Sequence, residues 1–308
     1  MLDGALLDRF RRGDRRALAR LLSLIARGEP AEPMLAALGA PTKLARVVAV
    51  TGAGGVGKST LVGKLIEHVR GQSLSVAVLA CDPQSPLSGG ALLGDRFRMP
   101  SRPDDEGVFI RSLATPSGRG AVAEHLGPMV GLLERFGFDV ILIETAGAGQ
   151  GDTAVRELAD SLVLLLQPES GDELQWEKAG VLEVADVVVI HKADLPGAER
   201  AEAQVKAMLG LTDGHETPVL KVSAKAGQGV AELWAVLAGL PLRRQKTPSD
   251  GRELLRLAQE SLAERFAAAA AHDPRLQELI RRWQQGELNR DEAAARLLQA
   301  LAGSPDCR

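Results

Sequence analysis

Several things are scarce in this sequence, and each scarcity removes a class of protein. Only two cysteines occur in 308 residues, Cys81 inside a strand-like run and Cys307 near the C-terminal end, which is no disulfide framework. No apolar run approaches the ~20 residues that a membrane-spanning helix needs. The start, Met1 to Phe10, is amphipathic with interspersed acids and lacks the apolar centre of a secretory leader. Lysine plus arginine totals 37 against 40 aspartate plus glutamate, so a net charge of −3 argues for neither nucleic acid nor an anionic membrane as partner. The five histidines are scattered, and only Cys81 stands anywhere near one, so no His/Cys metal cluster is in view. The expectation is a cytoplasmic chain.

What is present centres on Thr51–Thr60. The apolar run Val47-Val48-Ala49-Val50 reads as a buried parallel strand, and Leu61-Val62-Gly63-Lys64-Leu65-Ile66 has the spacing of a helix packed on a sheet. Between them stands Gly52-Ala53-Gly54-Gly55-Val56-Gly57-Lys58-Ser59-Thr60, the strand, Gly-x-x-x-x-Gly-Lys-Ser, helix order of a P-loop. Its glycines let successive N–H groups turn toward α- and β-phosphates, with a helix N-terminus behind them. Lys58 is placed to reach the β/γ oxygens, and the Ser59 hydroxyl to coordinate Mg²⁺.

Before this loop, residues 1–45 form a helical extension. Leu6, Leu7, Phe10, Ala17, Leu18, Leu21, Leu22 and Ile25 recur at helical spacing, and the arginines between them read as a solvated face, since acids are interleaved and no aromatics accompany them. After it, strands and helices alternate. Strands are expected at 75–81, 108–111, 140–143, 162–166, 187–190 and 219–222, with a helix over 121–136. Uninterrupted apolar strands in repeated βα units mean an α/β fold with a mostly parallel sheet covered on both faces, and ligands on such sheets sit beyond the strand C-termini. Residues 46–245 make up this P-loop domain. Past Pro241 the pattern turns helical, and 246–308 reads as a C-terminal arm: a helix over 250–271, a start at Asp273-Pro274, and a capping box at Asn289 and Glu292. Leu276, Leu279, Ile280 and Trp283, then Leu297, Leu298 and Leu301, are expected to give these helices one buried face each.

The other motifs fall at strand ends. Val140–Ile143 leads into Glu144-Thr145-Ala146-Gly147, where P-loop enzymes hold the Mg²⁺ shell and sense the γ-phosphate. Asp82 and Asp95, after the second strand, are further Mg²⁺ candidates. His191-Lys192-Ala193-Asp194 is similar to the Asn-Lys-x-Asp guanine motif, with histidine in first place. Asp194 is suited to accept from guanine N1–H and the 2-amino group, a pairing adenine cannot offer, and such buried sites discriminate by as much as ~10⁴-fold. Lys192 can lie along the base plane, and His191 is expected to brace rather than read. Ser223-Ala224-Lys225 matches an element whose backbone N–H meets guanine O6. Ala53 stands where MinD/ParA and nitrogenase iron-protein ATPases carry a second lysine, which argues against them.

Four segments together, residues 52–60, 82–95, 138–150 and 171–175, resemble the MeaB/ArgK family, and the likeness covers nearly the whole chain. Members are GTPase chaperones of adenosylcobalamin-dependent methylmalonyl-CoA mutase. The resemblance implies a Mg²⁺-dependent hydrolase of GTP to GDP and phosphate that gates cofactor loading and protects or rescues the mutase. It implies a homodimer through 246–308. It places Asp82 and Asp95 in a first switch, Glu144 to Gly147 in a second, and Asp172, Gln175 and Lys178 in a third that senses the partner. This chain departs from the pattern at His191, at Ala146 and Ala148, and at 167–170 and 176–177. No residue stands out as a general base, so catalysis would fall to Lys58, Glu144, Asp95, Mg²⁺ and the loop amides, slow alone and stimulated by a partner. Two alternatives are a nickel-enzyme maturation GTPase, which would call for a His/Cys metal cluster, and a kinase of a transport protein, which would call for an acceptor site and a base.

Overall fold

The computed structural model describes residues 4–83, 105–115, 125–146, 155–168, 179–210, 217–243 and 272–302, with 258, 262, 265, 266, 269 and 270. Its centre is a seven-stranded sheet of order β3-β2-β4-β1-β5-β6-β7, with every neighbouring pair parallel. The strands are β1 (Arg46–Gly52), β2 (Val76–Pro83), β3 (Val108–Thr115), β4 (Val140–Glu144), β5 (Ser161–Leu166), β6 (Val187–His191) and β7 (Val219–Val222). Side chains alternate across a strand, so an apolar run must be buried from both sides. Val47, Ala49, Ile141, Leu164 and Ile190 enter one core, while Val48, Val50, Leu142, Val163 and Val189 enter the other.

Helices cover both faces. On one lie α4 (Lys58–Gly71) and α9 (Val230–Gly239), and the Trp234 indole closes that side by donating to Gln72 Oε1 at 3.0 Å. On the other lie α1 (Gly4–Arg11), α2 (Arg15–Ala26), α3 (Glu32–Leu38), α5 (Leu126–Phe136), α6 (Val155–Leu158), α7 (Ala179–Val184) and α8 (Ala198–Leu209). β1 stands between β4 and β5, so the chain leaves it to one side, returns, and then builds outward on the other. That reversal makes the crevice beyond the β1 C-terminus the place for a ligand.

Met1–Gln245 and Lys246–Arg308 are two compact units. The N-terminal helices share the first unit's core. Phe10 meets Phe136 edge-on at 5.2 Å, Phe136 stacks on Phe138 at 5.6 Å, and Phe109 lies 6.1 Å from Phe138. The chain contains no tyrosine, so this cluster brings no hydroxyl that would need a buried partner.

Three local readings change. The continuous apolar periodicity of the first 28 residues is broken into two helices at Gly13, whose φ is +79°, and Asp14 caps α2 by accepting from the N–H groups of Arg16 and Ala17. Not all the arginines are solvated: Arg15 donates to the carbonyls of Asp105 and Val108 and lies 5.7 Å over the Phe109 ring. β3 runs on to Thr115, pairing with β2 through Asp82 and Pro83, and on this edge strand the polar Arg111 donates to Ser23 Oγ at 3.0 Å. Residues 121–124 of the expected helix lie outside the described residues.

The second unit contains α10 (Pro274–Gln284), capped by Asp273, and α11 (Arg290–Ala302), with the reciprocal Asn289–Glu292 capping box. Most of 250–271 lies outside the described residues. Leu276 and Leu301 are buried, but Trp283 is 57% exposed and Leu298 51%, so neither apolar stripe is covered along its whole length. Among the described residues, no helix is long and apolar enough to cross a membrane.

If α1 is part of the core, Phe10→Ala removes a buried ring and lowers unfolding stability by about 3–5 kcal/mol. Urea denaturation measures it, and a change under ~1 kcal/mol would contradict the docking of α1.

Candidate functional site

The loop between β1 and α4 takes its shape from three glycines. Gly52 turns the chain out of the sheet at φ +146°, where a Cβ would meet Leu165 O at 2.5 Å. Gly55 and Gly57 take φ +74° and +106°, left-handed values that suit residues without a side chain. Val56 is buried beneath the loop, while Gly54 and Gly55 face solvent. The N–H groups of Gly54, Gly55 and Gly57 have no acceptor among the described residues, and they precede the 14-residue helix α4. Free amides at a helix N-terminus form an anion site. Lys58 arches back over the loop, donating from Nζ to Gly52 O at 3.0 Å and Ala53 O at 3.1 Å.

Beside the loop stands the end of β4. Glu144 is buried, and its Oε1 accepts from Ser59 Oγ at 2.7 Å. The next residue is tied to β1: Thr145 N donates to Val50 O at 3.1 Å, and Thr145 Oγ1 to Thr51 Oγ1 at 3.0 Å. A carboxylate and a hydroxyl this close are hard oxygen donors, the set that suits a Mg²⁺ ion keeping waters and phosphate oxygens as its remaining ligands. Among the described residues, no group of three His, Cys, Asp or Glu residues could hold a metal without such help. Asp82 stands next to last in β2, opposite Ala114, but its side chain lies outside the described residues, as does all of Asp95.

β6 and β7 complete the crevice. His191 closes β6 with its ring inside the protein, 3% exposed, and Nδ1 lies 2.8 Å from Val56 O. Burial pushes its pKa below the ordinary histidine value, which keeps the ring neutral at pH 7. Lys192, at φ +56°, donates to Gly55 O at 3.2 Å and to Gln167 Oε1 at 2.9 Å. Asp194 is exposed, and its Oδ1 accepts from Ser223 Oγ at 2.6 Å. The Ser223 hydroxyl holds the Asp194 carboxyl below the usual range, so it is ionised at neutral pH. Ser223 itself is held by a two-way backbone bridge to Gln228. Ala224 is buried and Lys225 exposed beside it.

The structure therefore gathers 52–60, Glu144, 191–194 and 223–225 at the C-terminal edge of one parallel sheet. Gly147, Asp172, Gln175 and Lys178 lie outside the described residues. Sequence reasoning placed Thr145 only within the second switch and Gln167 only among the departures at 167–170, and it assigned neither these two nor Thr51 a contact in the site. The signal for Gln167 was its place as the first polar residue after the apolar run of β5, where ligand-facing positions occur.

The family model described as methylmalonyl Co-A mutase-associated GTPase MeaB matches residues 18–269. A Pyrococcus abyssi protein named as a GTPase is 42% identical over 236 residues, 74% of this chain and 73% of that one. The fused isobutyryl-CoA mutase of Cupriavidus metallidurans is 40% identical over 200 residues, 63% of this chain and 18% of that much longer protein. The crystal structure of a LAO/AO transport system kinase shares the fold, with a TM-score of 0.68 over 98% of this chain and 99% of that one, at 24% identity.

The close fit beneath the loop makes a prediction. A Cβ at Gly57 would fall 2.6 Å from His191 Nδ1, in a backbone region unfavourable to alanine. Gly57→Ala should cost about 2 kcal/mol or more from backbone strain and overpacking. An unchanged denaturation midpoint would mean that the imidazole does not sit there.

Proposed function

This chain belongs to the family of the methylmalonyl-CoA mutase-associated GTPase MeaB, and on that premise we propose that it is a Mg²⁺-dependent GTPase serving an adenosylcobalamin-dependent acyl-CoA mutase. The observation that carries the reading is one junction, the 2.8 Å contact of His191 with Val56 O, which joins a phosphate loop to a guanine-type motif. In the proposed mechanism the loop amides and Lys58 hold the triphosphate, and Asp194 accepts from the guanine edge while Ser223 fixes its orientation. Ser59 and Glu144, with Asp82 and Asp95, would hold a Mg²⁺ ion, which would supply positive charge to offset that of the phosphates. None of these groups is a general base toward water. Hydrolysis would rest on positioning and electrostatics, slow until a partner completes the site, by up to roughly 10⁵-fold where that is known to happen.

The mutase partner is supported by the family's description and by the fused isobutyryl-CoA mutase among the relatives. Gating of cofactor loading, and protection or rescue of the mutase, belong to this proposal, with Asp172, Gln175 and Lys178 sensing the partner. A homodimer through 246–308 is supported by the exposed Trp283 and Leu298.

Two variants test the chemistry. Asp194→Asn replaces an acceptor with a donor opposite the guanine 2-amino group, so GTP affinity should fall by ~10- to 100-fold, while xanthosine triphosphate, with a carbonyl there, should bind the variant better than GTP does. Unchanged affinity for both would reject the guanine assignment. Lys58→Ala should abolish hydrolysis with and without a cobalamin-dependent acyl-CoA mutase present, whereas the wild type should accelerate when that mutase is added. A folded Lys58→Ala protein with full turnover would refute the phosphate site, and a wild type indifferent to every such mutase would refute the partner.

A further inference from the structure

The charge of this chain is segregated. Residues 1–45 carry eight lysines and arginines against five acids, a net +3, so with −3 overall the remainder sums to −6. On α2 and its C-cap, Arg16, Arg20 and Arg27 fall within ~40° of one another around the axis, on the side opposite the buried Leu18, Leu21, Leu22 and Ile25. All three are exposed, and none has a hydrogen bond or ion pair among the described residues, whereas Arg9 and Arg11 are tied to Asp14 and Asp8. Like charges at i and i+4 weaken a helix. The fold has no need of them, since α2 is already held by its Asp14 cap and five buried side chains.

We propose that this arginine stripe is a docking surface for an acidic face of the partner protein, separate from the nucleotide site. The inference rests on the mutase reading above and specifies where that partner is held.

The surroundings favour a protein as occupant. At the head of the stripe a cavity of about 540 Å³ is lined by Arg9, Arg16, Glu106 and Phe136. Phe136 is half-buried and fixed between Phe10 and Phe138. Arginine beside a rigid aromatic ring is the composition of a protein-interface centre. The Glu106 carboxylate in the same wall would repel a nucleic-acid phosphate, and among the described residues of this unit no aromatic side chain is exposed to stack a base. A helix lying on an anionic membrane would put apolar side chains into the lipid, but α2 turns its own into the core.

The place of the cavity limits what docking can do. Glu106 precedes β3 and Phe136 precedes β4, so it lies at the N-terminal edge of the sheet, opposite the edge that carries the phosphate loop. A contact made here cannot reach the nucleotide. It supplies affinity and encounter rate, while stimulation is delivered elsewhere.

That division gives the test. GTP hydrolysis by the full chain is followed against rising concentrations of an adenosylcobalamin-dependent acyl-CoA mutase that accelerates the wild type. Replacing Arg16, Arg20 and Arg27 together by glutamate should raise the mutase concentration for half-maximal stimulation about 10-fold or more. The maximal rate and the rate without mutase should not change. Lysine at all three positions should restore most of the response, and added salt should weaken the wild type more than the glutamate variant. Glutamine at the three positions should leave the denaturation midpoint unlowered, because the arginines hold nothing in the fold. An unchanged half-saturating concentration in the glutamate variant would overturn the proposal. So would a loss confined to the maximal rate, which would put the arginines in the stimulating step. Binding of duplex DNA or of phosphatidylserine vesicles that the glutamates abolish, with the mutase response intact, would assign the surface to another occupant. A wild type that no such mutase accelerates would defeat the partner reading itself, and this inference with it.

Discussion

A loop that binds phosphate with its amides must dispose of its carbonyls, and that requirement organises the rest of this molecule. Each carbonyl turned toward the ligand would repel it, and each one buried without a donor would cost stability. Here the disposal is shared among three side chains. Gly52 O and Ala53 O accept from Lys58, Gly55 O from Lys192, and Val56 O from His191. Two of these donors come from the last residue of β6 and the one that follows it, and β6 is not hydrogen-bonded to β1, so the loop is correctly shaped only when the sheet is correctly assembled.

That dependence explains why so much of the chain is spent on burying strands. β1, β4 and β5 are buried along nearly their whole lengths, and their alternate side chains feed two separate cores. Rigid packing on both sides keeps the strand ends in register, and the functional groups sit on those ends. The N-terminal helices contribute to the same end from a distance, closing one face through Phe10 and holding the edge of β3 through Arg15. What looks in sequence like an extension is part of the foundation.

How much of this was legible depended on how local the signal was. Uninterrupted apolar runs between helical patterns announced the parallel sheet, and the P-loop spacing announced the anion site, because each is written in consecutive residues. The break at Asp14 was hidden because apolar periodicity continues across it and the cap is a single residue. The far half of β3 was hidden because the apolar run stops at Arg111, while an edge strand tolerates the polar Arg111 and Ser112. Helical spacing in α10 and α11 marked an apolar stripe but could not say what covers Trp283. The contact of Gln167 with Lys192 spans 25 residues and depends on β5 lying between β1 and β6, an order that no short motif records. His191 was visible as a replacement for asparagine; its contact with Val56 O became readable only in the structure.

The central claim is that one crevice binds a guanine nucleotide, and titration calorimetry of the wild-type chain with GTP and with ATP, each in Mg²⁺, tests it most directly. The account predicts one GTP per chain and ATP weaker by at least ~100-fold, the discrimination expected when a polar site is left unmatched. Equal affinity for the two nucleotides would contradict it.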